Sequence, residues 1–361
     1  MTKLILLFFI LLTFQLQAKN DSPSDFVLGK GTNLAHWLSQ SRQRGAEREK
    51  FIQEDDIRLI ASLGFDHVRL PIDEEQLWDE NGKRYEDAFR LMTNCIDWCI
   101  KYKLRAIVDL HILRAHHFNA KEKPLWTDPK EQQKFCDLWL DLSSVLKRYP
   151  LSMVAYELMN EAVADDPDDW NKLVDTCFSA LRKTEPERLI VIGSNRWQSA
   201  ATFDVLKVPD DPNIILSYHF YEPFLLTHYH ASWTDLKNYS GPVHYPGMAL
   251  TQAEFDSLPD DQKIEVQRFV NKHFDKKTML EMMRLPIEKA KKLKLRLYCG
   301  EYGVLSNAPE ADRLRWYAEM MEIFREQGIG SANWNYKSDQ FGLINNDGSR
   351  NGELIKIISG S

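Results

Sequence analysis

The chain has 361 residues, 43% hydrophobic and 27% charged, with a formal net charge of -7. This length suits one large domain or two small ones. Mild acidity without a basic stripe argues against a nucleic-acid partner and fits a neutral ligand.

Met1-Thr2-Lys3 opens the chain, and an apolar run follows over 4–14. The run is shorter than the about 20 residues that cross a bilayer and matches the apolar core of a signal peptide. Residues 1–18 are therefore expected to be removed after Ala18, leaving 19–361 as one catalytic domain of a secreted or periplasmic protein. No later segment reads as membrane-spanning, so no stable membrane insertion is expected.

The remaining chain repeats a short apolar strand, a loop and an amphipathic helix. Strands are expected over 29–34, 66–70, 105–110, 153–158, 189–192, 214–218, 295–299 and 330–334. Helices are expected over 53–63, 86–101, 131–148, 170–182, 202–206, 278–292, 312–326 and 353–358. Eight such units predict an α/β fold, a closed (β/α)8 TIM barrel whose helices cover the outer face. The glycines at 29 and 31 make too poor a nucleotide loop to favour an open dinucleotide-binding sheet.

One crossover is unusually long. After the sixth strand, 221–275 carries many aromatic and histidine residues, punctuated by Gly241-Pro242 and Pro246-Gly247. It reads as an aromatic-rich insertion over the active face, with one short helix over 261–274.

In such a barrel, chemistry sits at the C-terminal ends of the strands. The polar residues expected there include Arg69, His111, Asn160, Glu161, Asn195, His219, Tyr221, Glu301 and Trp334. The sharpest pair is Glu161 and Glu301, 140 positions apart but delivered to one pocket by closure. Two opposed carboxyl groups are what glycoside hydrolysis needs: a proton donor for the leaving oxygen and a carboxylate at the anomeric carbon. Burial and its like-charged neighbour would hold the donor protonated. Glu157, four residues before Glu161, reads as a buried structural carboxylate deeper in the barrel.

The five cysteines, Cys95, Cys99, Cys136, Cys177 and Cys299, form no zinc pattern and read mostly as small buried apolar groups. Adjacent histidines at 111, 116 and 117 do not make a ligand set either. No metal and no cofactor is expected.

The segments Gly31-Thr32-Asn33-Leu34, Val68-Arg69-Leu70-Pro71, Asp109-Leu110-His111, Leu158-Met159-Asn160-Glu161, His219-Phe220-Tyr221 and Gly300-Glu301-Tyr302-Gly303, closed by Trp334, stand in order at successive strand ends. In this set the chain resembles glycoside hydrolase family 5, the cellulase-containing family of retaining barrels, over nearly all of 19–361. The resemblance implies Glu161 as acid/base and Glu301 as nucleophile. It also implies Asn160 as the contact to the sugar 2-hydroxyl, Arg69 and Tyr221 around the nucleophile, His111 and His219 lining the subsite, and Trp334 as its aromatic platform. Outer sugar contacts are expected from His36, Trp37, His116, His117, Asn195, Trp197 and Trp233. The implied activity is endo-hydrolysis of a β-1,4-glucan by a monomer, with mannan, xyloglucan or β-1,3-glucan as alternatives and a non-catalytic carbohydrate-binding barrel as a distant one. Residues 111–117, in place of a Gly/Pro-rich turn, and the long crossover depart from common members and leave the linkage open.

Overall fold

The computed structural model describes residues 21–360; the expected signal peptide lies outside them. Strands β1 (Lys30–Asn33), β2 (His67–Asp73), β3 (Arg105–Ile112), β4 (Val154–Glu157), β5 (Ile190–Gly193) and β6 (Ile214–Phe220) are parallel and alternate with helices. Two short strands, β7 (Gly247–Met248) and β8 (His273–Phe274), pair antiparallel within the long crossover. The strands β9 (Arg296–Tyr302) and β10 (Gly330–Asn333) complete a closed barrel in the order β1-β10-β9-β6-β5-β4-β3-β2. This is the expected (β/α)8 architecture.

The helices begin where the local chemistry says they should. Asp128 and Asp166 each accept a backbone N–H two residues on, and Pro129 and Pro167 occupy the first helical positions. The helix Glu86–Lys101 buries Ala88, Leu91, Met92, Cys95, Ile96 and Cys99 along one side, the spacing that sets a helix on a sheet. All five cysteines are buried free thiols.

Alternation along the strands builds the interior in layers. Ile107, Ala155, Val191, Ile215, Tyr298 and Ala332 form an apolar cluster inside the barrel with Phe26. Two residues further along, the inward positions turn polar: Asp109 follows Ile107, Glu157 follows Ala155, and Ser217 follows Ile215. The barrel thus has an apolar interior and a polar C-terminal mouth.

Several expected helices differ. The helix over 278–292 is two, Lys276–Met282 and Arg284–Leu293, because Pro286 has no N–H to continue the ladder. The helix over 261–274 ends early as Asp260–Val266 and a 3-10 turn Gln267–Phe269. Asn271 then takes φ 56, donates its N–H to Leu250 O, and turns the chain into β8. The helix over 202–206 does not form; a 3-10 turn occupies Ala200–Thr202. Lys289 Nζ bonds the carbonyls of Phe203 and Leu206 instead, and so short a segment cannot repay helix nucleation.

Candidate active site

Arg69 is the centre around which the site is assembled. It rises from β2 into the barrel mouth and is fully buried. Its Nε donates to Glu157 Oε2 at 2.7 Å, and its Nη1 to Glu301 Oε1 at 2.8 Å and Asn33 Oδ1 at 3.0 Å. Nη2 donates to Asn160 Oδ1 at 2.9 Å and lies 2.9 Å from Asp109 Oδ2. The planar fork is thus shared among five partners from β1, β3, β4, the turn after β4, and β9, which only a guanidinium can serve.

Glu301 reaches this fork through a shift in strand register. Tyr218 of β6 pairs with Cys299 of β9, but His219 pairs with Glu301. Gly300 is absorbed by the irregularity, which turns Glu301 toward the pocket. A Cβ on Gly300 would approach Ser217 Oγ to 3.1 Å and His219 Nε2 to 3.2 Å, so this crowded point is suited to glycine. Tyr221 OH donates to the other carboxylate oxygen of Glu301 at 3.0 Å. Burial and the negative Glu301 keep that phenol protonated.

Glu161 arrives differently. β4 stops at Glu157, so Glu161 lies in the turn beyond the strand rather than on it, with φ 46. Its Oε1 lies 3.0 Å from His219 Nδ1, which is also 3.6 Å from Glu301 Oε2. Burial, then the neighbouring Arg69 charge, holds His219 well below the usual imidazole range, so the ring is neutral. One oxygen of Glu161, one of Glu301 and a nitrogen of His219 all lie within 4.8 Å of one another.

The charge balance separates the two acids. Asp109, Glu157, Glu161 and Glu301 crowd about one guanidinium, and burial raises the pKa of each, that of Asp109 to about 7. Glu161 goes well above the ordinary glutamate value, through burial and then repulsion by Glu301. Burial raises Glu301 too, but the Arg69 charge opposes it and Tyr221 bonds its anion. These surroundings favour the proton on Glu161 and the negative charge on Glu301.

The pocket wall offers unused polar atoms. Asp109 Oδ2 accepts from His111 Nδ1 at 2.7 Å, which leaves His111 Nε2 free as an acceptor. Burial lowers the His111 pKa to about 3. His111 Nε2, His219 Nε2 and Asn160 Nδ2 are buried without a protein partner. Buried groups of this kind are normally bonded, so these three are available to ligand hydroxyls. Trp334 stacks on His111 with ring centres 5.6 Å apart, and the edge of His36 stands 6.0 Å from it. His36 also lines a groove of about 840 Å³ between the loops following β1 and β10, with Arg42, Glu47, Lys337 and Asp339.

Three expected outer contacts are corrected. Trp37 is 0% exposed and donates its Nε1–H to Arg48 O at 2.7 Å, so it anchors the loop after β1. His116 is buried against Trp126 and accepts Val163 N–H, tying two loops together. Asn195 is buried with both amide ends on Ala164. By contrast Trp197 is 44% and Trp233 49% exposed, and His117 is exposed. Trp233 packs near Phe341, and His228 beside Tyr221, so part of the long crossover borders the Glu301 side of the mouth.

Sequence reading overlooked Asn33 and Gln198. Asn33 Nδ2 donates to Gly300 O and its Oδ1 accepts from Arg69 Nη1, a link that the strand-end position of Asn33 makes findable. Gln198, on a loop without periodicity, carries no such signal. Among the described residues, Glu161, His219 and Glu301 are the group whose atoms could together hold a metal ion. A cation there would sit between the two carboxylates.

A sequence model described as Cellulase (glycosyl hydrolase family 5) matches residues 29–340. The chain is 35% identical over 338 residues to a protein named Endoglucanase C from Acetivibrio thermocellus, covering 91% of this chain and 97% of that one. It is 31% identical to Cellodextrinase A of Ruminococcus flavefaciens, covering 83% of each. Among solved structures, a hyperthermophilic endo-β-1,4-glucanase in complex with substrate superposes with a TM-score of 0.72 at 24% identity, over 92% of this chain and 97% of that one. Thermotoga maritima Cel5A with mannotriose gives 0.75 at 22%, over 94% and 100%. At these identities the superpositions speak for the fold.

Proposed function

The chain belongs to glycosyl hydrolase family 5, and from that premise we propose that it is an endo-acting β-1,4-glucanase that retains anomeric configuration, with Glu161 as acid/base and Glu301 as nucleophile. The observation that carries the reading is the approach of the two acids, oxygen to oxygen within 4.8 Å. Retaining carboxyl pairs stand about 5–5.5 Å apart, whereas inverting pairs leave room for water at about 6.5–9.5 Å.

In the first displacement Glu161 gives its proton to the departing glycosidic oxygen while a Glu301 oxygen bonds the anomeric carbon. Arg69 and Tyr221 hold the Glu301 anion in place until it attacks. In the second, Glu161 takes a proton from water, the water oxygen bonds the anomeric carbon, and the ester to Glu301 breaks. Asn160, His111 and His219 offer hydrogen bonds to the ring hydroxyls, and Trp334 offers an aromatic wall beside them.

The relatives named as an endoglucanase and a cellodextrinase support β-1,4-glucan as substrate. The groove beside His36 supports a polymer, since it offers room for further sugar units next to the cleavage point. The apolar run over 4–14 supports export, and sequencing of protein recovered outside the cytoplasm is expected to begin at Lys19.

The test is a panel of soluble β-1,4-glucan, mannan, xyloglucan and β-1,3-glucan. Rapid viscosity loss and mixed-length products from the β-1,4-glucan are expected, with proton NMR showing the β-anomer first. First formation of the α-anomer, or cleavage confined to another polymer, overturns the reading.

A further inference from the structure

Gln198 touches neither carboxylate of the catalytic pair, yet its amide bonds the backbone that carries one of them. It is fully buried. Its Oε1 accepts the backbone N–H of Glu161 at 2.9 Å. Its Nε2 donates to Glu157 Oε1 at 3.1 Å and Ser217 Oγ at 3.0 Å. One side chain from the loop after β5 thereby joins β4, β6 and the turn that presents Glu161.

That turn needs holding. Glu161 sits at φ 46, a conformation that residues other than glycine adopt sparingly, and it lies past the end of β4 without a ladder partner. Gln198 is itself the last of three consecutive left-handed residues, Arg196 at φ 54, Trp197 at 60 and Gln198 at 50. This run sends Trp197 outward and Gln198 inward. The path inward is open because residue 193 is glycine; a Cβ there would stand 2.4 Å from Gln198 Cγ.

The bonds form a continuous line between the two acids. Glu161 N–H is held by Gln198, Gln198 donates to Glu157, Glu157 accepts from Arg69 Nε at 2.7 Å, and Arg69 Nη1 donates to Glu301 at 2.8 Å. We propose that Gln198 is a positioning residue that sets the acid/base carboxyl of Glu161 against the nucleophile, a role that rests on the acid/base reading above. Near neutral pH an amide meets both needs and a carboxylate does not, because the side chain must accept from a backbone N–H and donate to a carboxylate at once. Misplacing a reacting group by about 1 Å can cost on the order of 10²-fold in rate.

The test uses Gln198→Met, which removes both bonds, and Gln198→Glu, which keeps the shape. Gly193→Ala presses on the amide from behind. Each folded variant, checked by thermal melting, is assayed on β-cellobiosides with a good leaving group (2,4-dinitrophenyl) and a poor one (phenyl). Gln198→Met and Gly193→Ala are expected to lower kcat/KM about 10- to 100-fold on the phenyl substrate and less than about 3-fold on the dinitrophenyl one, which needs no proton. Gln198→Glu is expected to regain activity toward acid pH, where its carboxyl is protonated and can donate to Glu157. Equal loss on both substrates, or a Gln198→Glu pH profile parallel to wild type, overturns the role. Wild-type protein that cleaves neither substrate instead overturns the glucanase reading.

Discussion

Arg69 Nη1 lies 2.8 Å from Glu301 Oε1, and the guanidinium that makes this contact is fully buried. Lysine at this position would keep a charge but lose the fork that also serves Asn33, Glu157, Asn160 and Asp109. Arg69→Lys is therefore expected to destabilise the fold by about 3–5 kcal/mol, the usual result of stranding buried carboxylates. It should lower kcat/KM by about 10²-fold or more, because Glu301, the proposed nucleophile, loses its preorganised partner. Denaturant unfolding and steady-state kinetics check both; a near-silent substitution would show that Arg69 does not organise the site.

The raised pKa of Glu161 predicts a pH dependence with a definite sign. The acid must be protonated to act, so activity falls as pH rises through its folded value, which burial and then Glu301 push well above the ordinary one. Glu301→Gln removes the repulsion and should lower the Glu161 pKa while abolishing cleavage. Carbon-13 NMR of the side-chain carboxyls measures this directly. Stability follows the same linkage. An acid raised on folding contributes less as pH climbs from its unfolded value through its folded one, so wild type should lose more stability than Glu301→Gln above about pH 4.5. An unmoved Glu161 titration would remove Glu301 from the causes of the shift.

Two tryptophans separate sugar contact from packing. Trp37→Ala should cost about 3–5 kcal/mol, because it empties a buried site and strands Arg48 O. Trp233→Ala, at a half-exposed position, should change stability by no more than about 0.5 kcal/mol. If Trp233 meets sugar, the same change raises KM severalfold for long glucans and leaves cellobiosides unaffected. Melting curves together with KM against chain length decide the matter.

Much of this molecule is legible before folding. The eight strand–helix units are written in local apolar periodicity, and barrel closure then requires polar residues at successive strand ends to converge. This is why Glu161, Glu301, Arg69, Asn160, His111, His219 and Tyr221 were identifiable one by one. Pro286 is a local signal in the sequence for the break that divides the expected 278–292 helix.

Loop residues were not legible in the same way. Trp37, His116 and Asn195 look as suited to sugar as Trp197 and Trp233, and only the packed structure shows which are enclosed.

The primary sequence alone determined the barrel and brought Glu161 and Glu301 forward as candidates at its mouth, because strand alternation and helix spacing act between near neighbours. Tertiary structure decided the partners: the register shift that turns Glu301 inward, the buried line from Gln198 to Arg69, and which acid keeps the proton. Side-chain direction in irregular backbone depends on φ and ψ angles, and pKa on burial and distant charges. Both arise only when remote segments are packed together.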